Sequence, residues 1–269
     1  MREFAEKVAA FISDTTDYLA SVNAKEMPDG SQKYSVVVKR PEDKIAPAIY
    51  LDGMYGRLSV EDAALEIIKI AESNKVSMPD ISFVTDWDKA KEHITVRLLP
   101  KTFHADVFRS AEDFGFDDLI LVPYVTMNSI PEIGVGSVNV TSNIIESWGL
   151  DEGTVMDKAI QNTINAEISI QSMGGFVARA FNLDMDMPTG FFILSNKDMT
   201  YGASAILAAL DKLKKKYSDG FYVIPSSVHE VLVLPSCGFD KDYITNLIQE
   251  VNTTEVQPEE VLSDHVYQF

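Results

Sequence analysis

Three consecutive stretches decide the fold: Thr189-Gly-Phe-Phe-Ile-Leu-Ser-Asn196, then Tyr201-Gly-Ala-Ser-Ala-Ile-Leu-Ala-Ala-Leu-Asp-Lys-Leu-Lys-Lys-Lys-Tyr217, then Phe221-Tyr-Val-Ile-Pro-Ser-Ser-Val-His-Glu-Val-Leu-Val-Leu-Pro235. Phe191–Leu194 is apolar without alternation, the pattern of a strand covered on both faces. Ile206, Leu207, Leu210, Leu213 and Tyr217 recur at helical spacing and form the apolar stripe of an amphipathic helix. Lys212, Lys214, Lys215 and Lys216 crowd its C-terminal end, where positive charge opposes the helix dipole, and Gly220 closes it. Phe221–Ile224 and Glu230–Leu234 read as two short strands joined across the polar turn Pro225–His229. The expectation is one sheet containing 191–194, 221–224 and 230–234, with the helix lying across it.

Working outward, Phe4, Val8, Phe11, Ile12 and Leu19 predict an amphipathic helix over 2–21. Tyr34–Lys39 and Ala48–Leu51 read as strands, and Ser59 as the cap of a helix running through Leu65, Ile67, Ile68 and Ile70. Ile81–Val84 is a short strand candidate, Trp87–His93 a helix entered at Asp86, and Ile94–Leu99 either a strand or a continuation of that helix. Asp118–Val125 is a stronger strand, in which Pro123 removes a ladder donor and calls for an edge or a bulge. Phe103–Phe116 has no clean period, and 172–189 reads as irregular. Asp151 and Asp240 each cap a further helix, and Pro258 opens a short one. Tyr55-Gly-Arg-Leu-Ser59 and Trp148-Gly-Leu-Asp151 echo one another, each ahead of a helix. The fold class is α+β, a mixed, mainly antiparallel sheet with helices packed on it. It forms a single domain over 1–269 or two packed subdomains, 1–127 and 137–269, meeting at the Pro- and Gly-rich loop 128–136.

Composition narrows the function classes. Lys and Arg number 23 against 41 Asp and Glu, a formal charge of −18. Phosphate backbones and anionic membranes need a positive surface, so neither nucleic acid nor membrane is an expected partner. Spread acids of this kind serve solubility, or docking on a basic protein, or imitation of nucleic acid. The single cysteine, Cys237, excludes an intramolecular disulfide and fits a reducing compartment. The N-terminus lacks the basic start and cleavage site of a signal peptide. The longest apolar run, Ala205–Leu210, falls far short of the ~20 residues of a membrane span. A cytoplasmic location is the expectation.

Several of these stretches carry a resemblance. Tyr201-Gly202-Ala203, Ile224-Pro-Ser-Ser-Val-His-Glu230, Val251-Asn-Thr-Thr-Glu255 and Glu260-Val-Leu-Ser-Asp-His-Val-Tyr267 resemble the bacterial family known as domain of unknown function 5688. Ala46–Leu51 and the pair Ala159 and Asn162 fit the same pattern, whereas Leu98–Phe108 departs from it. Gly202–Leu234 is more faintly similar to domain of unknown function 1444. The resemblance implies a shared fold and brings no mechanism with it.

The chemistry centres on Ser226, Ser227, His229 and Glu230. In extended backbone Ser227 and His229 share a face and Glu230 takes the other. A Ser-His-acid triad draws its members from distant parts of a chain and needs an oxyanion hole, and no Gly-x-Ser-x-Gly elbow is present. A thiolate at Cys237, just ahead of the helix capped by Asp240, is a second candidate nucleophile. The enzyme reading is a hydrolase-like site with Ser227 or Cys237 as nucleophile, His229 as base and Glu230 beside them. Against it stands the structural reading, with Pro225 setting the turn and the serines satisfying its amides. No histidine follows His229-Glu230 at zincin spacing and no cysteine pair exists, so no metal site is expected, although His93, His104 and His265 could converge with acids. No phosphate-cradling glycine loop is present, and no cofactor is expected. The sequence favours a non-enzymatic interaction or regulatory protein with a protein partner, ahead of the hydrolase and of an acidic mimic of nucleic acid.

Overall fold

The computed structural model describes residues 1–26, 32–41, 46–73, 84, 86–126, 136–172 and 191–269. It divides into two units, Met1–Asp80 and Ile81–Phe269. In the first, helix α1 (Arg2–Thr15) precedes strands β1 (Leu19–Glu26), β2 (Gln32–Lys39) and β3 (Ala48–Tyr50), and helix α2 (Val60–Ser73) follows. The strands pair antiparallel in the order β1-β2-β3. Ala5, Val8 and Ile12 of α1 and Ala63, Ala64 and Ile67 of α2 share one core with Val36 and Val38 of β2. The helix expected over 2–21 stops at Thr15. The Thr15 and Thr16 hydroxyls donate back to the carbonyls of Phe11 and Ile12, and Thr16 is already extended. Leu19, counted into the helical stripe, instead opens β1 and is exposed. The Ser59 cap is present, its Oγ accepting the Asp62 amide at 3.1 Å.

The second unit contains α3 (Trp87–Ala90), β4 (Ile94–Pro100), β5 (Arg109–Ser110), β6 (Leu119–Thr126), β7 (Ser137–Asn139), α4 (Ser142–Trp148), α5 (Glu152–Asn165), β8 (Ile168–Ser172), β9 (Phe192–Asn196), α6 (Ala205–Lys216), β10 (Phe221–Ser227), β11 (Glu230–Pro235), α7 (Lys241–Thr254) and β12 (Tyr267–Gln268). One sheet has the order β12-β10-β11-β9-β8, so the three apolar runs expected to pair, within 191–194, 221–224 and 230–234, do share a sheet. β9 and β10 are each antiparallel to β11, hence parallel to one another with β11 inserted between them. Helix α6 connects them, as a crossover between parallel strands requires. Its Ile206, Leu207, Leu210 and Leu213 join Leu194, Val223 and Val233 in the main core. All pairings between described strands are antiparallel, and the fold class is α+β.

The other sheet explains Pro123. β6 pairs with β4 along its length, while its opposite side meets β5 at Ile120–Leu121 and β7 at Tyr124–Thr126. Pro123 falls between those two short strands. Its carbonyl accepts the Val140 amide on that side, at 2.9 Å, and its missing donor faces a gap in the ladder. A proline expected at an edge or bulge thus sits in a central strand at the one place where a neighbour is interrupted. The free edge of β4 is sealed by side chains of α5. Buried Thr163 accepts the Val96 amide through Oγ1 at 2.9 Å, and Asn162 Nδ2 donates to the Lys91 and Ile94 carbonyls at 2.8 and 2.7 Å. Covering an edge in this way satisfies polar groups that would otherwise be orphaned.

Of the remaining expectations, the strand over 81–84 lies, save for Val84, outside the described residues. So does 172–189, save for Ser172. The loop 128–136 lies outside them except for Gly136, and β6 and β7, which flank it, pair with each other. The helix caps at Asp86, Asp151 and Asp240 are made, each carboxylate accepting a first-turn amide. Strand β12 went unread in the sequence.

Candidate functional site

The corner singled out in the sequence forms where the β10–β11 hairpin meets the start of the crossover. Ser227 and Glu230 face each other across the ladder and leave Val228 and His229 as the tip. Ser227 Oγ accepts the His229 amide at 3.1 Å, so the serine bonds the histidine's main chain. The ring points elsewhere. Its Nδ1 accepts the Tyr201 amide at 3.0 Å, which fixes the proton on Nε2 while the ring is neutral, and Nε2 lies 3.4 Å from Glu260 Oε1. The Val228 amide donates to the Glu260 carbonyl at 2.9 Å, and the Val228 carbonyl accepts the Ala203 amide at 3.2 Å. The tip is held on one side by the 3-10 turn Gly202–Ser204 and on the other by the 3-10 turn Pro258–Glu260.

The turn after β9 is shaped to meet it. Asn196 brackets Thr200, accepting its amide at 3.1 Å and donating to its carbonyl at 2.8 Å. Met199 and Tyr201 take φ of +54° and +50°, left-handed values that cost a non-glycine residue about 1 kcal/mol or more. The following Gly202 is required by close approach. A Cβ there would stand 2.1 Å from Ser195 Oγ, 2.6 Å from the Asn196 nitrogen and 2.7 Å from the His229 carbonyl oxygen. Ser195, buried at 1% exposure, donates through Oγ to that same carbonyl at 2.7 Å.

Behind the histidine lies a cation. The Arg97 guanidinium carbon is 3.9 Å from the Tyr201 ring centre and 4.3 Å from that of Tyr124. Its Nη1 donates to Asn139 Oδ1 at 3.1 Å and its Nη2 to Ser137 Oγ. Burial pulls its pKa down, and the two tyrosines oppose that. Glu230 is half-buried, and burial pushes its carboxyl above the ordinary range, with His229 acting in the other direction.

The structure thus brings Ser227, His229 and Glu230 to one corner. Cys237 is exposed and lies beyond the far end of β11, about 20 Å away at ~3.4 Å per strand residue. Sequence reasoning about chemistry missed Ser195, Tyr201, Gly202 and Glu260. Tyr201, Gly202 and Glu260 lay within the stretches carrying the family resemblance, and that was the available signal.

A second feature belongs to the first unit. A groove of about 680 Å³ runs along α2 and the turn before it, lined by Met54, Leu58, Leu65 and Ile70, with Asp62 and Glu66 among them. Leu65, one of its lining residues, is 62% exposed. Lys69 also lines the groove and lies 3.9 Å from Glu66. No helix among the described residues is long and apolar enough to cross a membrane.

A family model with the description "family of unknown function (DUF5688)" matches residues 1–269. No curated protein and no solved structure matches the chain.

Proposed function

The chain belongs to this family of unknown function over residues 1–269, and we propose from its own surfaces that it is a non-enzymatic binding protein that takes a basic amphipathic helix of a partner protein in the α2 groove. The observation that carries the reading is Leu65, 62% exposed on the outer face of a helix whose other side is packed. Covering it would gain about 1–2 kcal/mol, the exposed share of a full leucine burial. Asp62, Leu65, Glu66 and Lys69 follow one another on that face at helical spacing, with Leu58 in the turn just ahead of the helix. α2 holds Glu61, Asp62, Glu66 and Glu72 against Lys69 alone. Asp62 and Glu66 are one turn apart, a like-charged pair that favours a partner's lysine or arginine over them. Leucines that anchor and acids that select are what a groove for a basic amphipathic helix needs.

The corner supports the same reading. Ser227 and Ser195 bond main-chain atoms of His229, and the histidine's Nδ1 holds the Tyr201 amide. A base acting on Ser227 needs a ring nitrogen turned to the hydroxyl, and Nε2 instead lies 3.4 Å from Glu260 Oε1. A cytoplasmic, bacterial setting fits the acidic charge and the single exposed cysteine.

The test is fluorescence anisotropy with a labelled helical peptide of alternating leucine and lysine faces, beside its leucine and glutamate counterpart. The basic peptide is expected to bind and the acidic one to fail, with Leu65→Glu weakening binding about tenfold or more. Equal binding of both peptides, binding of neither, or an unaffected Leu65→Glu variant refutes the proposal.

A further inference from the structure

In the second unit, Asp117 and Asp118, at the entry to β6, meet His265, just ahead of β12. One ligand atom from each lies within 4.8 Å of the others. Asp118 is fixed from both sides: Oδ2 accepts the Ser263 hydroxyl at 2.8 Å and Oδ1 accepts the Tyr267 hydroxyl. Ser263, only 5% exposed, also sits 3.2 Å from His265 Nδ1. Since its one proton goes to Asp118, its oxygen faces Nδ1 as an acceptor. The imidazole proton therefore belongs on Nδ1, in the relay Nδ1–H to Oγ–H to Oδ2. That leaves the Nε2 lone pair facing Asp117 Oδ1, 3.5 Å away.

A lone pair and a carboxylate oxygen repel one another unless a cation stands between or beside them. That cation is a proton or a metal ion. For a proton, 3.5 Å is beyond the ~2.7–2.9 Å of a good charge-assisted bond. Two ligands ~2.05 Å from one ion at a tetrahedral angle stand about 3.3 Å apart, close to the 3.5 Å between Nε2 and Asp117 Oδ1, while Asp118 Oδ2 stands 3.8 Å from Nδ1. The arrangement also has the outer shell of a metal-bound histidine, whose second nitrogen donates to a fixed oxygen.

We propose that Asp117, Asp118 and His265 bind a divalent first-row ion, with Zn²⁺ the best fit. One imidazole nitrogen with two carboxylates suits Zn²⁺ better than Ca²⁺ or Mg²⁺, which take oxygen donors in larger number. Three protein ligands leave at least one position to water, the composition of an open site. Asp118 is held in place by Ser263 and Tyr267, whereas the Asp117 side chain is 80% exposed. The ion would tie the start of β6 to the C-terminal strand. The sequence reading, which expected no metal, had His265 in view but could not place it beside Asp117 and Asp118, nearly 150 residues earlier.

Calorimetric titration of the chelator-washed full chain with ZnCl₂ near neutral pH tests this. All proteins carry Cys237→Ser, which removes an exposed thiol able to take zinc on its own. One equivalent of Zn²⁺ is expected to bind, with excess CaCl₂ failing to displace it. His265→Gln and Asp117→Asn, both changes of accessible side chains, should each weaken binding about tenfold or more. Their urea midpoints without metal should match the parent, which separates a ligand role from a folding role. Absence of stoichiometric binding, displacement by calcium, or undiminished binding by both variants overturns the proposal and leaves His265 in an ordinary ion pair.

Discussion

Replacing Gly202 by alanine tests whether the corner is a joint. Gly202 does not occupy the left-handed region, so by backbone conformation alone the change should stabilise by about 0.4–1 kcal/mol through the unfolded chain. The contacts predict the opposite sign. The new Cβ would stand 2.6 Å from the Asn196 nitrogen and 2.7 Å from the His229 carbonyl oxygen, main-chain atoms of β9 and of the hairpin tip that cannot rotate away. Ser195 Oγ, at 2.1 Å, can rotate, but only by releasing its bond to the His229 carbonyl. Overpacking of this kind costs about 1–3 kcal/mol. Moving the tip also weakens the Ser195 hydroxyl bond and the Ala203 amide bond, about 1 kcal/mol each. The expected loss is therefore about 3–5 kcal/mol.

Urea unfolding followed by tryptophan fluorescence measures this in the right place. Trp87 and Trp148, the only two tryptophans, both belong to the second unit and pack with ring centres 5.0 Å apart. A double-mutant cycle sharpens the result. Ser195→Ala alone should cost about 1–3 kcal/mol by leaving the His229 carbonyl without its hydroxyl donor. Combined with Gly202→Ala it should cost less than the sum, because the nearest obstacle has gone. A Gly202→Ala variant as stable as the parent, or more so, would refute the reasoning, and strict additivity would remove Ser195 from it.

Two further outcomes follow from single contacts. Burial raises the Glu230 pKa, so its folded value lies above its unfolded one. The stability this contributes is whole below the unfolded pKa, about 4.3, and is lost as pH rises through the folded value. Glu230→Gln should therefore gain on the parent as pH climbs from acid to neutral in urea titrations; a constant difference across pH would count against it. Thr163→Val keeps the shape of the side chain but leaves the Val96 amide without its acceptor at the β4 edge. It should cost about 1–3 kcal/mol, with faster hydrogen exchange at Val96, and an unchanged exchange rate there would show that the edge is sealed otherwise.

Much of the fold was legible because its signals are local. Ser59, Asp86, Asp151 and Asp240 announce helix starts by a side chain that reaches an amide one turn on, and apolar runs mark β6, β9 and β11. The misreadings are places where a distant partner decided. Leu19 fits the stripe of α1 in spacing, but the threonine hydroxyls end the helix before it and β2 claims it as a strand. Pro123 announces a missing donor, yet only the positions of β5 and β7 show where the gap falls. The sequence put its candidate boundary at 128–136, and the contacts divide the chain between Asp80 and Ile81.

In the polar corner, residues near one another in sequence meet through main-chain atoms. A serine two places before a histidine at a hairpin tip has a main-chain donor within reach before it has an imidazole, and Ser227 takes the His229 amide. The direction of the ring is then set by Tyr201, 28 residues earlier, whose amide is presented by a left-handed turn. That turn begins the crossover that must carry the chain from β9 past β11 to β10. The Ser195, His229 and Gly202 contacts seat the hairpin tip against the start of that crossover, with β11 paired between β9 and β10. The same residues that suggest a triad in one dimension are, in three, the fastening of an antiparallel strand between two parallel ones. A fastening of this kind demands the polarity of an active site, because buried main-chain groups at a tight junction must be satisfied.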